Sequence, residues 1–173
     1  MTQEIFDLYD EEDKPLNKTK PRSEVHKNGD WHRVVHIYVY NEQGQVMVHL
    51  RSLFKDSKPG CFDARFGGHV TTGMDYLDTA LLELRQEIGL VVRAEELQIG
   101  PKEKNAQFPN NEHVQVYFYC FRGNEKDLRF SDQEVVEAKW MNKEEVINSM
   151  NSDPQKWAGT AERFLQVFKL LAK

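Results

Sequence analysis

The sequence predicts an α/β domain built on a mixed β-sheet, and three patterns carry that prediction. The first is a helical stripe, Leu77, Ala80, Leu81, Leu84 and Ile88, in a segment that starts near Asp75 and stops at Gly89. Placed at about 100° per residue, these side chains form one apolar face of a helix lying on a core. The second is period-two alternation. Arg33, Val35, Ile37 and Val39 share one face of a strand, and His32, Val34, His36, Tyr38 and Tyr40 share the other. The third is the run at 114–121, VQVYFYCF, nearly all apolar or aromatic, which fits a strand buried within the sheet.

Taken in order, the chain opens with Ile5, Asp7 and Tyr9 alternating against Phe6, Leu8 and Asp10, then turns through DEEDKP, which predicts a short hairpin. The next stretch predicts two strands joined at Asn41-Glu42-Gln43-Gly44. Pro59-Gly60 supplies a turn, after which Phe62 and Phe66 are expected to pack inward. Beyond Gly89, LVVRAEELQIG predicts a strand and a connection. Pro109-Asn110-Asn111 predicts a turn that leaves Glu112 and His113 near a strand edge. A later strand ends at Trp140, with Asn142 capping the helix that follows. The last helix is expected to put Ala161, Phe164, Leu165, Phe168 and Leu171 on one face.

At 173 residues the chain suits one core rather than two. With no repeat, low-complexity tract or linker, the expected organisation is one domain over 1–173, with 1–30 as an N-terminal hairpin extension. Twenty-three Lys plus Arg against 28 Asp plus Glu give a net charge of −5, which argues against a duplex binder relying on phosphate neutralisation. Cys61 and Cys120 lack metal or redox spacing, so reduced thiols in a cytoplasmic protein are expected. The acidic N-terminus has no signal-peptide pattern, and no apolar run is long enough to span a membrane. Nothing in the sequence sets the oligomeric state.

The chemistry centres on Glu83 and Glu87, stacked on the flank of the predicted helix toward the loop that precedes it. Like charges at this spacing destabilise an isolated helix, so a pair facing Gly67-Gly68 invites a cation. Glycine lets its carbonyl approach a ligand closely. Two carboxylates, a main-chain carbonyl and water make an oxygen-only site suited to Mg²⁺ or Mn²⁺. Arg51 and Lys55, in the loop before the glycines, are the cations placed to meet phosphate oxygens. His26, His32 and His36, with Trp31 among them, form an unusual concentration of imidazoles.

The segment FGGHVTTGMDYLDTALLELRQEIGL resembles the signature of the Nudix hydrolases, with the box at 67–90. That signature is a glycine, five residues, a glutamate, seven residues, then Arg-Glu-apolar-x-Glu-Glu-x-Gly-apolar. Gly68, Glu83, Leu84, Glu87, Gly89 and Leu90 match. Met74, Leu82 and Gln86 stand where a glutamate, an arginine and a metal-binding glutamate belong. The wider pattern VHxxGxWHxxxH, then HLRSxxKDxxPGxxDxxxGGH, resembles the branch similar to type 1 isopentenyl-diphosphate isomerase.

The resemblance implies a Nudix α/β/α sandwich and metal-dependent hydrolysis of a nucleoside diphosphate-type pyrophosphate linkage in a small phosphorylated substrate. It implies metal held by Gly67, Glu83, Gln86 and Glu87, and catalysis by Glu83, Glu87 and the late-loop acid Glu134. Substrate contacts would come from Arg51, Lys55 and His69. His32 and His69 fall on metal-binding positions of the isomerases. Isomerisation itself needs a Cys-Gly-His triplet, and here the triplet is Gly67-Gly68-His69. A second expectation, from Met74, Leu82 and Gln86, is a weakened binding module that keeps the fold.

Overall fold

A computed structural model describes residues 4–55, 57–130 and 134–171. Asp56 and Gln133, which belong to the expected phosphate loop and late loop, lie outside the described residues.

The N-terminal hairpin forms as expected, from β1 (Ile5–Tyr9) and β2 (Pro15–Pro21). A short helix, α1 (Arg22–Asn28), follows it, stopped by Gly29 at φ 67. The sequence signal missed this helix, because seven residues with Val25 as their one buried side chain leave no visible period.

The main sheet contains β3 (His32–Asn41), β4 (Val46–Arg51), β5 (Phe62–Asp63), β6 (Leu97–Gln107), β7 (Asn110–Phe121) and β8 (Val135–Met141). The order is β5-β4-β3-β7-β6, with β8 on β4, and β3–β7 is the parallel pair that makes the sheet mixed. Three further helices complete the fold: α2 (Tyr76–Ile88), α3 (Lys143–Ser152) and α4 (Ala161–Leu171). Among the described residues no helix is long and apolar enough to cross a membrane.

The alternation in β3 sorts the two core layers. Val35, Ile37 and Val39 pack with Ala80, Leu84 and Ile88 of α2, whereas Val34 and Tyr38 pack with Phe164, Val167 and Phe168 of α4. Phe66 joins the first layer and Phe62 the second, so the two phenylalanines turn inward on opposite sides. On α4 the expected face is shifted: Leu165 is 38% exposed, and Val167 takes the buried position.

Two strand boundaries differ from expectation. β6 continues through PKEKNAQ because its far edge faces water, so Lys102 and Lys104 are tolerated outside while Gln115 pairs across the ladder. Glu112 and His113 therefore sit within β7, between β3 and β6, rather than at an edge.

Candidate functional site

The segment after β5 turns back along β3 and fixes the glycine pair. Ile37 N–H donates to the Phe66 carbonyl at 2.8 Å, and Val35 N–H donates to the Gly68 carbonyl at 2.9 Å. Gly67, between them, has φ 132, and a methyl there would lie 2.1 Å from the Val35 carbonyl oxygen, so only glycine fits. With its neighbours' carbonyls engaged by β3, the Gly67 carbonyl is left outside that pairing.

On the other side stands α2, started by Asp75, whose carboxylate accepts from Asp78 N–H at 2.8 Å, and ended by Gly89 at φ 73. Its carboxylates reach the glycines as expected, but they are not equally placed. Glu87 is 2% exposed, and its Oε2 accepts from Gly67 N–H at 2.9 Å. Glu83 is half-buried, and its Oε1 would lie 2.3 Å from a methyl on Gly68. The sequence placed Glu87 on the polar flank, and the fold buries it under the turn. Gln86 is exposed one turn-step away.

Lys55 and Glu134 come in from two loops. The Lys55 ammonium pairs closely with Glu134 and lies 4.0 Å from Glu87 Oε1. Backbone pairing of Ser52 N–H to the Glu134 carbonyl at 2.9 Å holds the two loops together. Arg51 has a different position. Its guanidinium donates to the Ser57 carbonyl at 2.8 Å and the Lys58 carbonyl at 3.3 Å, bracing the loop that presents Lys55.

His69 is not with Lys55 but in a separate cluster. The ring nitrogens of His26, His32 and His69 lie within 4.8 Å of one another, and Phe6 stacks on His69 and His32 with centroids 4.8 and 5.5 Å away. Burial lowers the pKa of His69 well below the usual histidine range and lowers that of His32 too. His32 Nδ1 pairs with the Asp30 carbonyl at 2.9 Å, while its buried Nε2 has no partner among the described residues. His36 is outside this cluster, 3.2 Å from an Arg163 nitrogen. Glu112, level with His32 in the ladder, is raised by burial and accepts from Asn105 at 3.0 Å.

Sequence reasoning missed the buried acid behind the site. Asp63 accepts from Arg65 at 2.9 and 3.2 Å and lies 3.8 Å from Arg51. Burial alone would raise its pKa, but the two guanidinium groups hold it at about 2. His49, level with Asp63 in the ladder, stacks on Phe66 at 4.6 Å. Both its ring nitrogens are buried without a partner among the described residues, and burial pushes its pKa down to about 4.

The donor set at the glycine turn is chemically consistent with a hard divalent cation: two carboxylates, with the Gly67 carbonyl outside the β3 pairing. The family described as the NUDIX domain matches residues 30–166. This chain belongs to the Nudix family.

Among Nudix relatives, it is 36% identical to Nudix hydrolase 3 of Arabidopsis thaliana over 68% of this chain but only 16% of that protein. It thus corresponds to a small part of that longer relative. It is 30% identical to an uncharacterised Nudix hydrolase of Pseudomonas aeruginosa, covering 87% of this chain and 86% of that one. In fold it resembles the crystal structure of DR0079 from Deinococcus radiodurans, with a TM-score of 0.80 and 21% identity over 95% and 99% of the two chains. It also resembles a MutT protein from Methanosarcina mazei, with a TM-score of 0.67 and 17% identity over 83% and 96%. The Nudix helix is α2. Its departures have structural counterparts: Met74 packs against the α2-side core, and Leu82 is exposed where the signature has arginine.

Proposed function

We propose that this Nudix protein hydrolyses the pyrophosphate linkage of a small nucleoside diphosphate-type substrate with the help of Mg²⁺ or Mn²⁺. The observation that carries the proposal is the convergence of Glu83, Glu87 and the Gly67 turn with Lys55 and Glu134.

Glu83, Glu87, the Gly67 carbonyl and the Gln86 amide oxygen are the groups that would hold the ion. When bound, it supplies charge neutralisation at the pyrophosphate and lowers the pKa of an attacking water. The chain's own residues do the rest. Lys55, exchanging a carboxylate partner for a phosphate oxygen, orients the substrate, and Arg51 keeps the Lys55 loop in place. Glu83 or Glu134 accepts the proton of the attacking water. Glu87 is too firmly tied to Gly67 N–H to swing as a base, so its role is to hold the ion. His69 stays with the imidazole cluster and acts on substrate only through the turn it follows.

A weakened binding module is the second reading, favoured by Gln86, Leu82 and Met74. Isomerase chemistry is disfavoured, since Gly67 offers no acid or base. A small-molecule substrate fits the net charge of −5, and a cytoplasmic setting fits two free cysteines. The test is incubation of the protein with a panel of nucleoside diphosphates and either ion, following phosphate release. Turnover that requires the ion supports hydrolysis. Saturable nucleotide binding without turnover moves the protein to the binding reading.

A further inference from the structure

The loop between β4 and β5 opens with a tight turn whose two central residues, Leu53 and Phe54, are 78% and 85% exposed. The turn is braced from several sides. Lys55 N–H donates to the Ser52 carbonyl at 3.3 Å, and Phe54 N–H donates to the Ser52 hydroxyl at 3.2 Å. Ser52 is itself buried and donates its N–H to the Glu134 carbonyl, while the Arg51 guanidinium holds the far side of the loop through the Ser57 and Lys58 carbonyls. Leu53 lies down on Gly60, where a methyl would come within 2.9 Å of its Cδ2. Phe54 is left at the tip with its ring in water.

Nothing local calls for these side chains. Neither residue has a positive φ, the turn would close equally well around Ser, Asn or Asp, and neither joins a core cluster. A single exposed apolar side chain carries no meaning, since much of any protein surface is apolar. Position is what distinguishes this pair. Phe54 is the chain neighbour of Lys55, about 3.8 Å away at Cα, and the Lys55 ammonium pairs with Glu134 and lies 4.0 Å from Glu87. The ring therefore stands within a nucleotide's length of the phosphate that Lys55 meets in the proposed reaction. A second aromatic, Phe130, is 37% exposed on the loop that leads to Glu134. The stretch 51–58, RSLFKDSK, also carries three cations against one acid, in a chain whose net charge is −5. Local positive charge beside an exposed aromatic is complementary to a ligand with an anionic end and a flat, apolar one.

We infer that Phe54 is a specificity-determining residue, whose ring is the platform on which the nucleobase of the substrate stacks while Lys55 holds the phosphates. The inference rests on the pyrophosphate site proposed above and adds to it the recognition of the base. Stacking uses the flat face that every base has, so it selects nucleotides over bare pyrophosphate without choosing strongly among bases. Such a role also gives a reason for Arg51 to engage backbone carbonyls rather than substrate, because it fixes Phe54 and Lys55 as one unit.

The experiment is calorimetric titration in Mg²⁺ with methylenediphosphonate and with the α,β-methylene diphosphates of adenosine and uridine, whose bridging carbon prevents hydrolysis. The wild type is expected to bind the nucleoside analogues about tenfold or more tighter than methylenediphosphonate. Phe54→Ser should lose that advantage, Phe54→Leu most of it, and Phe54→Tyr none, with methylenediphosphonate bound alike by all four proteins. Because Phe54 is exposed, these substitutions leave the fold in place. An advantage kept by Phe54→Ser or Phe54→Leu, or a matching loss of methylenediphosphonate, would overturn the inference. If the wild type binds methylenediphosphonate with no gain from the nucleoside, base stacking fails alone. If it binds none of the three, the pyrophosphate site fails with it.

Discussion

Glu87 Oε2 accepts a hydrogen bond from the backbone N–H of Gly67 at 2.9 Å, although Glu87 is buried on the core side of the Nudix helix. This bond ties the helix to the turn, which gives the carboxylate a structural task beside the ion-holding one proposed for it. The two are separable by Glu87→Gln, whose amide oxygen can still accept from Gly67 but carries no charge. We expect turnover to fall about 10²-fold or more, with a smaller loss of stability. Kinetics in Mg²⁺ beside thermal melts check it, and a variant with unchanged rate would remove Glu87 from the chemistry.

The two glycines should fail in different ways. A methyl at position 67 meets the fixed Val35 carbonyl at 2.1 Å from a backbone at φ 132, so Gly67→Ala is expected to cost about 2 kcal/mol or more. At position 68 the obstacle is the Glu83 carboxylate, which can rotate away. Gly68→Ala should therefore melt near the wild type while losing activity through a displaced Glu83. Denaturant unfolding and initial rates on both variants separate the cases. A stable Gly67→Ala would contradict the packing.

Gln86→Glu restores a third carboxylate beside Glu83 and Glu87. It should lower the Mg²⁺ concentration for half-maximal activity and reduce stability without metal, because three carboxylates at 83, 86 and 87 repel. Metal dependence that does not change, with no metal-dependent rise in melting temperature in either protein, would favour the binding module. A Mn²⁺-soaked crystal locates the ion directly. Density at the glycine turn is expected, and density only among His26, His32 and His69 would move the metal site.

Acid should weaken the fold in two windows. His49 has its pKa lowered by burial to about 4, so the folded state refuses a proton that the unfolded chain accepts below about pH 6.5. Stability is full above that value and falls by up to about 3 kcal/mol as pH drops to about 4. Asp63, held at about 2, contributes above about pH 4, and its share is lost as pH falls through about 2. Both His49 ring nitrogens lack a hydrogen-bond partner among the described residues, so His49→Leu should melt at or above the wild type at pH 7. It should also flatten the upper window. Equal slopes between pH 7 and 5 would show that His49 does not titrate with folding.

The sequence was informative where the cause is local. Asp75 and Gly89 bound α2 through their own cap geometry, and the β3 alternation separated the two faces of that strand, although it marked only the Val35, Ile37 and Val39 face as core and left the second layer under α4 unread. Long-range causes stayed hidden. Glu87 reads as half of an acidic pair on a flank, and its burial depends on the Gly67 N–H brought to it by a separate strand. Asp63, Arg65 and Arg163 read as scattered charges, because nothing in their spacing shows that α4 returns to cover β5. Histidine spacing pointed to His36 as readily as to His26, and only the position of α1 and Phe6 decides which imidazole joins the cluster.

The parallel ladder between β3 and β7 sets the timing of assembly. It joins residues 32–41 to residues 112–121, so Lys55, Gly67, Glu83 and Glu87 all belong to the loop it closes. The β1–β2 and β6–β7 hairpins are local and form early, whereas this pairing must wait for a large loss of chain entropy. On the ribosome it cannot complete until Phe121 has emerged. Until then one edge of β3 carries unpaired backbone groups, and that edge is where a nascent chain would pair with the wrong strand.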